Sequence, residues 1–432
     1  MREKILNLYA VSILLGILTG GICSLLQLAI KAVNLLLQQG FHYTHFAGWP
    51  LGAISASVSM LMVMIAYLMV KWIAPEASGS GVPHIEGVLL HQQTMHWRRL
   101  LPVKFIGSVL AISSKMVLGR EGPSIQIGGN LGQMLGGLFR FTPKQCDTLI
   151  SAGAAAGLAA AFNAPLAGVL FVLEEMRDQF NFSFTNFKAV AICAVMATMV
   201  LHLVLGAGPA ISMAVYALPS MRSLWLFFIL GIVMGYAGLL FNSGLVNVLN
   251  LVDKLGPTWR YIYVLIVGLV IGYLAFVHPM FVSGGYEIIE QSLTMNPSLF
   301  FLLLVFAIRF VMSLVCYSSG VPGGIFAPML ALGTLLGLAA SHVFQWLMID
   351  ASVHPGMFAV AGMGALFSAS VRAPITGIVL VVEMTQNYSL ILPLMVSCLT
   401  STTIVQLYNA DPIYTQLMNR MLAIPQGAWR KK

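Results

Sequence analysis

Gly119-Arg120-Glu121-Gly122-Pro123-Ser124-Ile125-Gln126-Ile127-Gly128-Gly129 sets an ionisable carboxylate, Glu121, inside a hydrophobic region. Pro123 has a fixed φ and no N–H, so it suits the first turn of a helix that starts here. Gly119 and Gly122 let the backbone bend and come close to whatever occupies the site. The first N–H groups of the new helix have no internal partner and carry partial positive charge. A helix start inside a membrane is a ready anion site, and Glu121 is a tethered anion placed at it. A glycine-rich packing motif with an Arg120–Glu121 pair at the membrane edge is the plainer alternative, but intramembrane carboxylates are functional by default.

The membrane itself follows from composition. Of 432 residues, 59% are hydrophobic and 8% charged, whereas about a quarter of a soluble domain is charged. Long apolar runs recur at about 5–38, 51–74, 105–118, 148–173, 189–207, 223–250, 261–277, 298–317, 324–349, 356–382 and 389–408. Most are long enough to span a bilayer, and several are interrupted by Gly or Pro. The chain reads as an all-α polytopic membrane protein. A β-barrel is excluded, since its strands would be short alternating segments.

Net charge is +8, yet the basic residues form no patch outside the ends, so nucleic acid is not an expected partner. Arg2 and Lys4 open the chain and Arg430, Lys431 and Lys432 close it, which places both termini in the cytoplasm, with Arg98-Arg99 in a cytoplasmic loop. Residues 1–22 lack a small-residue cleavage site and read as an uncleaved first helix. The five scattered cysteines carry no CxxC, and His42 and His45 alone are a weak ligand signal, so no disulfide framework, metal site or cofactor is expected.

A second broken helix is written at Gly79-Ser80-Gly81-Val82-Pro83, with Ser80 as an N-cap or a free donor. No Gly-Lys-Ser/Thr follows, so this is not a nucleotide loop. An internal repeat ties these features together. Gly119, Pro123, Gly128 and Gly132 recur as Gly324, Pro328, Gly333 and Gly337, each 205 residues later. Gly153, Ala164, Pro165, Gly168 and Glu174 recur as Gly362, Ala373, Pro374, Gly377 and Glu383, each 209 residues later. The halves are about 1–205 and 223–432, joined by 206–222. Interrupted hydrophobic segments at matching places in two halves point to a transport site at their interface. The second half repeats the helix start as Gly323-Gly324-Ile325-Phe326-Ala327-Pro328, with Phe326 where Glu121 stands and Ile325 where Arg120 stands.

Backbone N–H groups near Gly122 and Ile325-Phe326, with the Ser80 hydroxyl, form a lining of donors, which favours an anion; cations need carbonyl or carboxylate rings. Dehydrating an ion costs several kcal/mol. One helix terminus returns about 0.3–2 kcal/mol and a hydrogen bond to a charged group about 1.5–3 kcal/mol. Several converging elements are therefore required. Ionised Glu121 competes for the anion's own position; once protonated it loses that attraction and can swing aside. Glu174-Glu175, after the apolar run 164–173 and before Arg177-Asp178, is either a solvated helix end or a proton acceptor on the cytoplasmic side. Tyr414, after the last apolar run, has the position of an interfacial belt residue. An intramembrane hydrolase would need a buried Ser/His or paired-acid dyad, and no such motif is present.

Together, Gly-Ser-Gly-Val-Pro at 79–83, Gly-Arg-Glu-Gly-Pro at 119–123 and Gly-Gly-Ile-Phe-Ala-Pro at 323–328 resemble the three signature stretches of the CLC chloride channel and transporter family. The stretch 153–176 and the late tyrosine match too, so the resemblance runs from about residue 5 to 420, most closely to the bacterial proton-coupled members. It implies a homodimer in the bacterial inner membrane, each subunit built from inverted halves around its own pathway. By the same resemblance Ser80, the backbone amides of Ile325 and Phe326, and the Tyr414 hydroxyl would hold chloride. Glu121 would be the external gate and Glu175 the internal proton-transfer acid of an electrogenic chloride/proton exchanger. A passive chloride channel of the same fold, with Glu121 as gate only, is the alternative. Ser80, where nitrate-selective relatives carry proline, favours chloride, and the intact Gly-Arg-Glu-Gly-Pro argues against the fluoride-specialised branch. Two residues depart from the pattern: His84, where such exchangers tend to carry glutamate, and Lys115, in a stretch that is small and glycine-rich in them. Lys115 is expected either to act on ionised Glu121 and the entering anion or to snorkel to the surface. The chain stops soon after Tyr414, so the cytoplasmic nucleotide-binding module of many members is not expected.

Overall fold

The structure, a computed structural model, describes residues 2–46, 50–217, 219–295, 297–347 and 353–423. Arg430, Lys431 and Lys432, and the side chains of Arg2, Lys4, His42 and His45, lie outside what it describes. The first eight helices are α1 (Arg2–Phe46), α2 (Leu51–Trp72), α3 (Val82–Leu89), α4 (Trp97–Ser113), α5 (Glu121–Leu138), α6 (Pro143–Phe162), α7 (Pro165–Glu174) and α8 (Phe184–Leu205). Eight more follow in the same sequence of long and short: α9 (Leu224–Asp253), α10 (Pro257–Val277), α11 (Tyr286–Met295), α12 (Leu299–Ser318), α13 (Phe326–Trp346), α14 (Pro355–Val371), α15 (Pro374–Thr385) and α16 (Ile391–Leu407). A last helix, α17 (Ile413–Ala423), closes the described chain. Among the described residues, eight helices are long and apolar enough to cross a membrane. The protein is a multi-pass membrane protein.

The apolar runs 148–173 and 356–382 are each two helices. Asn163 (φ 56°) and Arg372 (φ 62°) end α6 and α14 in the left-handed region, and Pro165 and Pro374 open the helices that follow. The Ala-Pro pairs dictate this, because the residue before a proline is pushed out of the helical region. The sequence reads as a polar loop at 39–50 after the apolar run 5–38, but residues 39–46 continue α1 to Phe46; Gly40 is their poorest helix former and no proline intervenes before Pro50. Arg98 and Arg99 likewise sit in the first turn of α4 and not in a loop.

The two halves run antiparallel. Gly119 and its repeat counterpart Gly324 form an antiparallel bridge, each donating its N–H to the other's carbonyl at 2.7 Å. Two residues that exchange both bonds are related by a local two-fold. Because they occupy the same place in the repeat, that two-fold relates the halves, which are therefore inverted. The same exchange occurs between α7 and α15. Glu174 accepts from the N–H groups of Ile375 (3.0 Å) and Thr376 (2.7 Å), while Glu383 accepts from those of Leu166 (3.2 Å) and Ala167 (2.9 Å).

α5, α6, α13 and α14 are the innermost helices. Their crossings are backbone-close: a Cβ on Gly128 or Gly153 would overlap the other's carbonyl oxygen, and Gly333 and Gly362 repeat this arrangement. Small residues do this in membranes, where packing rather than water drives helix association. Around the core, α10, α12 and α16 expose Ile266, Phe300 and Leu399, as a lipid-facing surface does.

Candidate functional site

Three helix starts meet at the centre. Ser80, just ahead of α3, packs so tightly on Gly122 in the first turn of α5 that a Cβ at 122 would strike its Oγ, carbonyl oxygen and Cα. A Cβ on Gly324, just ahead of α13, would come within 3.0 Å of the Gly122 nitrogen. Backbone bonds fix the frame: Gly79 N–H to Val321 O (3.2 Å) and Gly323 N–H to Gly79 O (3.0 Å), beside the Gly119–Gly324 pair. Ser80 does not cap α3, whose N-cap position is Gly81 (φ 89°). Its hydroxyl is buried without a protein partner, so of the two expectations the free donor is what the structure shows.

Phe326 begins α13 with its ring packed on Phe367 (5.0 Å between centroids), Phe171 and Tyr414 (both 5.8 Å) and Phe162 (5.9 Å). This collar turns the α13 start inward. Tyr414, in the first turn of α17, is fully buried and not at an interface belt. Its hydroxyl faces Ser80 but, like that of Ser80, makes no hydrogen bond to the protein. Two hydroxyls without a protein partner thus lie beside the start of α13, which no side chain caps, a convergence of donors in apolar surroundings that suits an anion.

Glu121 is fully buried at the first position of α5. Its carboxyl folds back over Gly119, where a Cβ would collide with Oε2, and its nearest backbone donors are its own N–H and that of Ala327 in α13. Oε1 accepts a hydrogen bond from the Tyr286 hydroxyl at 2.8 Å. The Arg120 guanidinium lies 5.0 Å from the centre of the Tyr286 ring. Thus the first half supplies the acid and the second half supplies its donor.

Glu175 follows α7, half-buried, with Glu86, Glu174, Arg177 and Arg372 as charged neighbours. It is not the solvated end that Arg177-Asp178 suggests; that pair lies one step further out, 68% and 80% exposed. Glu86, on α3, is 1% exposed with both oxygens unpartnered, and sequence reading missed it. Lys115 makes its ion pair with Glu287 and not with Glu121. It adopts φ 68° and its ammonium lies 3.8 Å from Glu287. His84 is buried between the Thr94 carbonyl (3.3 Å from Nε2) and the Gln126 amide (3.2 Å from Nδ1).

Two buried cations escaped notice although the repeat predicts their pairing. Lys104 and Arg309 stand 205 residues apart, at the same place in α4 and α12. Lys104 Nζ donates to the carbonyls of Ala77 (3.0 Å) and Gly79 (2.7 Å), ahead of α3. Arg309 donates to those of Met280 (3.0 Å), Val282 (2.6 Å) and Ser283 (2.8 Å), ahead of α11. Each cation holds the loop that delivers a hydroxyl to the centre, Ser80 in one half and Tyr286 in the other.

Two inverted halves, with broken helices converging on an embedded carboxylate, make the architecture of a membrane transporter. The chain belongs to the voltage gated chloride channel family, whose model matches residues 62–406. It is 44% identical over 415 residues to the H(+)/Cl(-) exchange transporter ClcA of Vibrio parahaemolyticus, covering 95% of this chain and 88% of that one. To ClcA of Yersinia pestis it is 45% identical over 388 residues, covering 88% and 80%. A slow cyanobacterial Cl-/H+ antiporter superposes with a TM-score of 0.92 at 38% identity, over 96% of this chain and 98% of that one. A CLC-type fluoride/proton antiporter shares the fold, with a TM-score of 0.78 at 20% identity over 96% and 98%.

Proposed function

We propose that the protein is an electrogenic chloride/proton exchanger of the bacterial inner membrane. Chloride rests between the Ser80 and Tyr414 hydroxyls and the backbone N–H groups of Ile325 and Phe326. Glu121 is the external gate: ionised, it fills the outer anion position, and protonated, it yields that position and carries the proton. Glu175 exchanges protons with the cytoplasm, with Glu86 as its buried neighbour. The pathway lies between halves 1–205 and 223–432, joined by 206–222. Both termini face the cytoplasm, and two subunits, each with its own pathway, pair within the lipid. No cofactor takes part.

The observation that carries this reading is the buried Glu121 carboxyl at the meeting of three helix starts, within one site that also holds two unpartnered hydroxyls. The exchange chemistry named for the relatives above supports it. The test is purified protein in liposomes carrying a chloride gradient, with external pH recorded as chloride flows. Uphill proton movement that disappears in Glu121→Gln and in Glu175→Gln is expected. Chloride flux with no proton movement would make the protein a channel with Glu121 as gate only.

A further inference from the structure

We propose that Tyr286 is a positioning residue for the gate: its hydroxyl latches the Glu121 carboxylate in the closed pathway and so sets how much acid is needed to open it. The proposal rests on the reading of Glu121 as the gate.

The latch is built from the fold and not from a chance contact. Tyr286 is the first residue of α11, in the second half, and it reaches 165 positions back to Glu121 Oε1 at 2.8 Å. Its backbone follows directly on the 280–283 loop, whose carbonyls Arg309 grips, and Ser283 N–H donates to Lys115 O at 2.8 Å. Its ring is held from the other side by Arg120. Backbone, ring and hydroxyl are therefore placed independently of one another. In the inverted half the corresponding loop, gripped by Lys104, presents Ser80. The two hydroxyls thus reach the centre from opposite sides, and only Tyr286 meets a carboxylate there.

A phenol donates more strongly to an ionised carboxylate than to a neutral acid. Ionised Glu121 is therefore held in place, and protonation weakens the hold. Swinging the side chain away also takes from the half-buried tyrosine hydroxyl its carboxylate acceptor, which opposes opening a second time. Other charged and polar groups surround the latch. Arg120 lies on its own turn, and Glu287, the residue of α11 next to Tyr286, is paired with Lys115, the two 64% and 31% exposed and so screened. α13 offers the Ala327 N–H. Tyr286 is the one side chain hydrogen-bonded to Glu121 among the described residues.

Tyr286→Phe removes the hydroxyl and leaves the ring on Arg120. In liposomes, the profile of chloride transport against external pH is expected to move about one unit toward alkaline pH, the tenfold change in proton concentration that defines a unit. In a Glu121→Ala background, with no carboxylate to latch, Tyr286→Phe is expected to leave chloride flux unchanged. An unmoved profile, or an effect of equal size in the Glu121→Ala background, overturns the latch and makes Tyr286 a packing residue. Glu121→Gln separates the two readings. If Glu121→Gln abolishes proton coupling while Tyr286→Phe is silent, the latch alone falls. If coupling survives Glu121→Gln, the gate reading falls and the latch with it.

Discussion

Glu174 and Glu383 each cap the helix that carries the other. Glu174, at the end of α7, accepts from the first turn of α15, where Thr376 Oγ also donates at 2.8 Å. Glu383, near the end of α15, accepts from the first turn of α7. Each carboxylate meets two orphan N–H groups and a positive helix end, within a pair held antiparallel by the two-fold. Glu174 is thus spent on structure, so of the Glu174-Glu175 pair only Glu175 is free for the proton-transfer role proposed above.

Replacing either cap should therefore cost stability without touching coupling. Glu383→Ala is expected to lower stability by about 1–2 kcal/mol, and Glu174→Ala by a similar amount. Thermal unfolding in detergent reads both. Loss of proton coupling in Glu383→Ala with unfolding unchanged would contradict the structural role.

Tyr414→Phe tests the proposed anion site from the opposite direction. The hydroxyl has no protein partner, so its removal should leave thermal unfolding within about 0.5 kcal/mol of the parent. If it helps hold chloride, affinity should fall about tenfold or more, since a hydrogen bond to a charged group contributes about 1.5–3 kcal/mol. Isothermal titration with chloride decides; unaltered affinity would remove Tyr414 from the site.

The crossings at Gly128–Gly153 and Gly333–Gly362 predict matched penalties. Gly128→Ala and Gly333→Ala each force backbones apart and should cost about 1–3 kcal/mol, the usual range for overpacking. Similar losses at both positions in detergent unfolding would reflect the repeat. A tolerated alanine at either would show that the helices can separate there freely.

Lys115→Gly should raise stability, not lower it. The lysine holds φ 68°, a conformation that costs non-glycine residues roughly 1–2 kcal/mol, and its ion pair with Glu287 is exposed enough to contribute little. Because its ammonium is paired away from Glu121, the pH and voltage dependence of transport should shift little. A large shift, read in lipid bilayers, would show that Lys115 acts on the pathway after all.

The sequence made the membrane class, the three helix starts and the repeat legible, because glycine and proline carry backbone instructions that do not depend on distant partners. The same register, extended to Lys104 and Arg309, already marks them as equivalent cations in apolar runs. What they grip, three carbonyls ahead of α11 or two ahead of α3, depends on loops folding back and is not written locally. The Tyr286–Glu121 bond is less legible still, since nothing near residue 286 signals a carboxylate 165 positions earlier. Locally, Ser80 reads as a cap or a free donor and Tyr414 as a belt residue, and only the family resemblance joins them in one site; what the structure adds is that both hydroxyls are buried without partners.

The Gly119–Gly324 and Gly79–Pro322 bridges have a consequence for how the protein is made. The centre is built from residues synthesised some two hundred positions apart, so a nascent chain that has made only its first half carries Glu121 and Ser80 without the Gly324 backbone and the Tyr286 hydroxyl that meet them. Assembly of the site is therefore a late event in synthesis, completed only when the second half folds back on the first.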